Sequence, residues 1–157
     1  MKPTVYLETS IIGYLASRRS RDLMTAANQE ITHEWWDKHR QQYELYVSLP
    51  VLAECRAGDA SAAQERAVFF AGLPVLGASQ PAEELAGKLI QGIPLPVKAN
   101  VDALHIALAA VNGIRYLLTW NCTHIANAAL RSPIERICRE AGYEPPTICT
   151  PQELMEE

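Results

Sequence analysis

No stretch of this 157-residue chain approaches the run of roughly 18 apolar residues that a membrane-spanning helix needs. No C-x-x-C pair joins any two of its cysteines, Cys55, Cys122, Cys138 and Cys149. Cys122-x-His124 therefore stands without the second pair that a zinc site requires. Nothing marks a cysteine as an activated nucleophile either. The phosphate-loop and dinucleotide fingerprints are absent, with neither G-x-G-x-x-G nor G-K-[ST] present. Internal repeats and low-complexity tracts are missing too. Positive charge is in deficit: the net charge of −4 excludes a protein that coats nucleic acid by bulk electrostatics. A local basic cluster remains at Arg18, Arg19 and Arg21. No secretory leader is visible, because Met1-Lys-Pro leads straight into a strand pattern, so the expectation is a cytoplasmic protein with free thiols.

What is present is an ordinary globular composition, 48% apolar, in a length that suits one domain over residues 1–157. Such a chain buries roughly 70% of its unfolded surface and needs no staples. Strand and helix signals alternate throughout. Strands are expected at Thr4–Leu7, Glu44–Val47, Pro74–Leu76, Arg115–Thr119 and Thr147–Cys149. Between them the pattern predicts helices from Thr9 to Ala16, from an Asp22 cap to about Gln42, from Ser48 and Pro50 to about Gly58, and from Ala60 to Ala71. Further helices are expected from Ser79 to about Gln91, from Lys98 to Asn112, and from Pro133 to Ala141. Gly92–Pro96 reads as a loop, Trp120–Asn127 as a polar turn leading into a helix, and Thr150-Pro151 as the cap of a terminal helix. Repeated β-α alternation implies an α/β fold with a parallel sheet covered by helices on both faces.

The segment Thr4-Val-Tyr-Leu-Glu8-Thr-Ser10 is the most informative. A buried parallel strand ends in a carboxylate, and Thr9 or Ser10 follows in position to cap the next helix. Ligand sites of open α/β sheets lie at the carboxyl ends of strands. An acid there is costly to bury without a partner, and a divalent metal is the obvious one. Glu54 lies in the helix after the second strand, and Asn121 just beyond the end of the strongest one. Asp102 sits one position off an apolar stripe of Val101, Leu104, Leu108 and Val111, about 100° around the helix. That places it at the border of the buried face, with His105 one turn on. For Asp102, a favourable place near the helix N-terminus is the competing explanation; for Glu54 it is a solvated helix surface. Together these groups suggest a hard oxygen site for Mg²⁺ or Mn²⁺, able to act on a phosphodiester. A hydrogen-bonded structural role fits His105. Trp120 fits either local packing or stacking on a base. One of Trp35 and Trp36 is expected in the core.

Val5-Tyr-Leu-Glu-Thr-Ser10, Val51-Leu-Ala-Glu54, Val101-Asp-Ala-Leu-His-Ile-Ala-Leu-Ala109 and Tyr116-Leu-Leu-Thr-Trp-Asn121 resemble, in order and spacing, the four motif blocks of PIN-domain proteins, in particular VapC-type toxins. The resemblance implies a three-layer α/β/α sandwich with a central parallel sheet, and an acidic pocket binding Mg²⁺ or Mn²⁺. It also implies ribonuclease activity on RNA, a homodimer, and a small antitoxin whose tail covers the pocket. Carried across, Glu8, Glu54, Asp102 and Asn121 take the four metal-binding and catalytic positions. Thr9 or Ser10 takes the hydroxyl beside the first acid, and Thr119 the one before the fourth position. Arg18 and Arg19 are candidates for the RNA backbone. Glu8 and Asn121 both stand where the family usually has Asp. An amide ligates through its oxygen but brings no charge, so lower metal affinity is expected. The rival readings are a PIN-like binding module with little catalysis and a phosphoryl-accepting receiver domain. The latter lacks its Asp after Pro74-Val-Leu-Gly77.

Overall fold

Thr4–Leu7 (β1) is the central strand of the sheet, and its Val5, Tyr6 and Leu7 are wholly buried. Such a strand needs apolar residues on both faces, which is why it reads as an unbroken run. This computed structural model describes residues 1–93, 96 and 99–155. The other strands are β2 (Glu44–Ser48), β3 (Val75–Leu76), β4 (Tyr116–Leu118) and β5 (Thr147–Cys149). All pairings are parallel, in the order β3-β2-β1-β4-β5. The chain builds outward from β1 through β2 to β3, then returns to lay β4 on the other side. The reversal opens a crevice at the carboxyl ends of β1 and β4, where ligands of open α/β sheets bind.

The helices are α1 (Thr9–Ala16), α2 (Leu23–Lys38), α3 (Leu49–Arg56), α4 (Ala60–Phe70), α5 (Gln80–Gly92), α6 (Asn100–Val111), α7 (Ala128–Glu140) and α8 (Pro151–Met155). They flank the sheet, giving the expected layered α/β architecture. Several caps fall where the sequence put them. Asp22 accepts from Thr25 N at the head of α2, Ser48 from Val51 N before α3, and Ser79 from Ala82 N before α5. Thr150 and Glu153 exchange bonds in a capping box.

Five local expectations are corrected. The cap of α1 is Glu8 itself, whose carboxylate accepts from Ser10 N, rather than Thr9 or Ser10. The long helix ends at Lys38, and Arg40–Gln42 form a 3₁₀ turn. There the Arg40 guanidinium sits over the Trp36 ring and donates to the Trp36 carbonyl, closing the last turn. Helix α7 begins at Ala128 behind an Asn127 cap and carries Pro133 inside it. The acceptor left without a partner, the Ala129 carbonyl, belongs to an exposed residue where water can reach it. The strand expected over Arg115–Thr119 is trimmed to Tyr116–Leu118. The stripe assigned to α6 is rotated: Ala103, Ile106, Ala107 and Ala110 are buried, while Val101 is 40% exposed. Small residues let α6 lie close to its neighbours, so its bulky residues mark the margin. The expected loop at Gly92–Pro96 and the helix start at Lys98 fall partly on residues 94, 95, 97 and 98, outside the described residues.

Trp35 is fully buried, and Trp36 packs on Phe69. All four cysteines are free. Burial pushes the Cys55 and Cys138 thiols up to about 11 and Cys149 to about 12, so these three are packing residues rather than nucleophiles. No described helix is long and apolar enough to cross a membrane.

Candidate metal centre

Glu8 stands at the carboxyl end of β1 with only 4% of its surface exposed. A carboxylate so placed needs donors. Three converge on its Oε1: Ser10 N at 3.2 Å, Ser10 Oγ at 2.5 Å and Thr119 Oγ1 at 2.6 Å. Thr119 follows β4 and Ser10 opens α1, so the clamp ties both sides of the crevice to one oxygen. Each hydroxyl is itself held, Ser10 Oγ by Trp120 N at 2.9 Å and Thr119 Oγ1 by Asn121 N at 2.9 Å.

Glu54 projects from α3 toward the same place. Its Oε1 accepts from Thr9 Oγ1 and from His105 Nε2, each at 2.7 Å. Half-burial pushes its carboxyl up, but the hydrogen bonds from His105 and Thr9 outweigh that, and the net shift is downward. His105, on α6, is fully buried. Its Nδ1 lies 2.7 Å from the Tyr6 hydroxyl, which lies 2.6 Å from Ser48 Oγ. Ser48 Oγ in turn accepts from Val51 N at 3.3 Å. One proton arrangement satisfies the whole chain: Ser48 donates to Tyr6, Tyr6 to His105 Nδ1, and His105 Nε2–H to Glu54. The reverse direction strands the Ser48 proton, which then has no acceptor among the described residues. Burial pushes the Tyr6 phenol far above its usual 10, against a smaller opposing effect of the Ser48 hydrogen bond, so it remains a donor.

Ligand atoms of Glu8, Glu54 and His105 lie within 4.8 Å of one another, the one such group among the described residues. Asp102 is not in it. Its Oδ2 lies 3.0 Å from Nδ1 of His124, with the two side chains 16% and 20% exposed. Asn121 Oδ1 accepts from His124 N at 3.1 Å, so the amide closes the turn that carries this histidine. The structure thus brings Glu8 and Glu54 together directly. It ties Asp102 to the turn beyond β4, and through one turn of α6 to His105 and Glu54.

Each of the three acids has one oxygen held, and among the described residues no donor reaches the other. None is within ion-pair distance of a described Lys or Arg. Partly buried carboxylates with free oxygens and no basic partner form a donor set that fits a hard divalent cation.

The remaining sequence candidates fall elsewhere or serve the acids. Thr9, Ser10 and Thr119, expected at the substrate, spend their hydroxyls on Glu54 and Glu8. Arg18 and Arg19 are exposed beyond the far end of α1, a helix about 12 Å long. Trp120 donates Nε1 to Thr32 Oγ1 at 2.7 Å and stacks on Tyr14, so it is a packing residue. Cys122 is exposed and His124 is turned to Asp102, so the Cys122-x-His124 pair builds no zinc site among the described residues. Tyr6, Ser48 and His124 were missed from sequence. A buried tyrosine on a central strand always asks where its hydroxyl goes, and an Asn in a polar turn holds the residue three places on. Either signal leads to the site.

No family model matches the sequence, and no curated protein matches it. Solved structures do match. A chain of VapBC2 from Rickettsia felis, in a structure bound to a DNA fragment from its promoter, is 16% identical, with a TM-score of 0.61 over 94% of this chain and 98% of that one. Mycobacterium tuberculosis VapC20, a sarcin–ricin loop cleaving toxin, is 18% identical, with a TM-score of 0.58 over 89% and 96%. The likeness is one of fold: the chain has the three-layer fold of these VapC proteins, the PIN-domain fold.

Proposed function

We propose that this chain is a VapC-type PIN-domain toxin, a divalent-metal-dependent endoribonuclease whose site is formed by Glu8, Glu54 and Asp102, with Asn121 shaping its fourth side. The observation that carries the reading is the meeting of Glu8 and Glu54 at the crevice between β1 and β4, uncompensated by any described Lys or Arg. The fold shared with a toxin that cleaves the sarcin–ricin loop supports RNA as the substrate class.

A bound Mg²⁺ or Mn²⁺ would polarise the phosphodiester and lower the pKa of the attacking water. The protein's part is to hold the acids. Ser10 and Thr119 fix one oxygen of Glu8, and Thr9 and His105 keep Glu54 ionised. Asn121 sets the turn that fixes His124 against Asp102. In the reaction a water oxygen bonds to phosphorus and the bond from phosphorus to the 3′-oxygen breaks. That oxygen takes up a proton, giving a 3′-hydroxyl and a 5′-phosphate. The chain is one PIN-like domain over residues 1–157, acts in the cytoplasm as a homodimer, and is restrained by a small antitoxin. Incubation with structured RNA and Mn²⁺ tests the activity: the wild type cleaves, and Asp102→Ala or added chelator abolishes cleavage. Equal cleavage by wild type and Asp102→Ala removes the assigned site.

Asn121 in place of an acid favours a second reading, a PIN-like module that binds RNA or protein without cutting. RNA bound but uncut across many substrates with Mn²⁺ present selects it.

A further inference from the structure

Asn121 stands where a fourth acid is expected, yet its side-chain oxygen is taken by the backbone N–H of His124 at 3.1 Å, and its own N–H is held by Thr119 Oγ1. What this turn delivers to the crevice is an imidazole. We propose that His124, rather than Asn121, is the fourth arm of the metal site, and that this nitrogen donor biases the site toward Mn²⁺ over Mg²⁺. The inference rests on the metal-dependent reading above.

Three observations support it. First, His124 Nδ1 and Asp102 Oδ2 are 3.0 Å apart, the spacing of two neighbouring ligands around an octahedral ion with bonds of roughly 2.1 Å. Second, both side chains are partly exposed, at 20% and 16%, so an ion can reach them from solvent. Third, the two site histidines differ in availability. His105 Nε2 lies in the cluster with Glu8 and Glu54, but His105 is fully buried and both its nitrogens are committed, to Tyr6 and to Glu54. It is a positioning residue. His124 has Asp102 as its one side-chain partner among the described residues, and its Nε2 has none. Imidazole is a softer donor than carboxylate, and Mg²⁺ is the cation that most strongly prefers oxygen. Replacing an acid by histidine therefore weakens Mg²⁺ more than Mn²⁺.

The test is Mn²⁺ binding to the whole chain without RNA. Loss of the free-ion electron paramagnetic resonance signal gives the affinity, pulsed measurements detect nitrogen coupled to the bound ion, and competition gives the Mg²⁺ affinity. The wild type is expected to bind Mn²⁺ with an imidazole nitrogen coupling that His105→Gln leaves in place. His124→Ala loses the coupling and weakens Mn²⁺ by about tenfold or more, with a smaller effect on Mg²⁺. His124→Asp, which keeps a ligand at the position, loses the coupling but binds Mg²⁺ better than His124→Ala does. Asn121→Asp still closes the turn and changes either affinity by less than about threefold. Coupling that persists in both His124 variants overturns the inference, as does a tenfold gain in Mg²⁺ affinity from Asn121→Asp. Both results leave the nuclease reading intact. A wild type that binds no Mn²⁺ removes that reading and the inference together.

Discussion

Tyr6, on the central strand, and His105, one turn beyond Asp102 on α6, meet through a 2.7 Å hydrogen bond inside the protein. Neither residue reaches solvent, yet together they set which nitrogen of His105 faces Glu54. Tyr6→Phe leaves His105 Nδ1 unpaired in the interior. It is expected to cost about 1–3 kcal/mol, read from urea unfolding. The ¹⁵N shifts of His105 report the same thing directly. In the wild type, Nδ1 is the unprotonated nitrogen and Nε2 carries the proton.

His105→Gln and His105→Leu separate positioning from packing. Glutamine can still donate an amide proton toward Glu54, whereas leucine fills space and donates nothing. Metal affinity is expected to fall by about tenfold or more in the leucine variant and to recover substantially in the glutamine variant. Equal loss in both would assign His105 a packing role alone.

The pH dependence follows from Glu54. Its folded-state pKa lies below the ordinary 4.5, so folding binds fewer protons there than the unfolded chain does. The stability it contributes is complete above that value and is lost as pH falls through the lower folded one. Glu54→Gln is expected to flatten the acid limb of a stability-against-pH curve and to leave the curve's shape above pH 6 unchanged.

The hydroxyl clamp on Glu8 gives a third measurement. Thr119→Val removes one donor to a carboxylate that has almost no access to water. The expected loss is about 1.5–3 kcal/mol of folding stability without metal. Divalent metal should itself stabilise the wild type, by about 2.7 kcal/mol at a hundredfold excess over its dissociation constant. Glu8→Ala should abolish that gain, as a calorimetric scan with and without Mn²⁺ will show.

Much of this was legible in the chain. Val5-Tyr-Leu7 ending in Glu8 marked both the central strand and the first acid, and caps at Asp22, Ser48 and Ser79 fixed three helix starts. These are local signals, set by backbone hydrogen bonding within a few residues. The face of α6 was not legible. Its alanines count little in a hydropathy stripe, but their small size is what lets the helix lie close. Pro133 read as a helix start because its missing N–H is harmless in a first turn, and only its exposed surroundings make it tolerable further in. His124 was hidden for a different reason. Its partner Asp102 is 22 positions away, and Asn121 beside it matched a motif block that drew attention to itself.

The central claim is that Glu8, Glu54 and Asp102 share one divalent cation. Crystals grown with Mn²⁺ test it most directly, through anomalous scattering at the crevice between β1 and β4. The account predicts a peak within ligand distance of an oxygen from each of the three acids, lost in Asp102→Ala. No peak there, or Mn²⁺ bound at Asp102 away from Glu8 and Glu54, would contradict it.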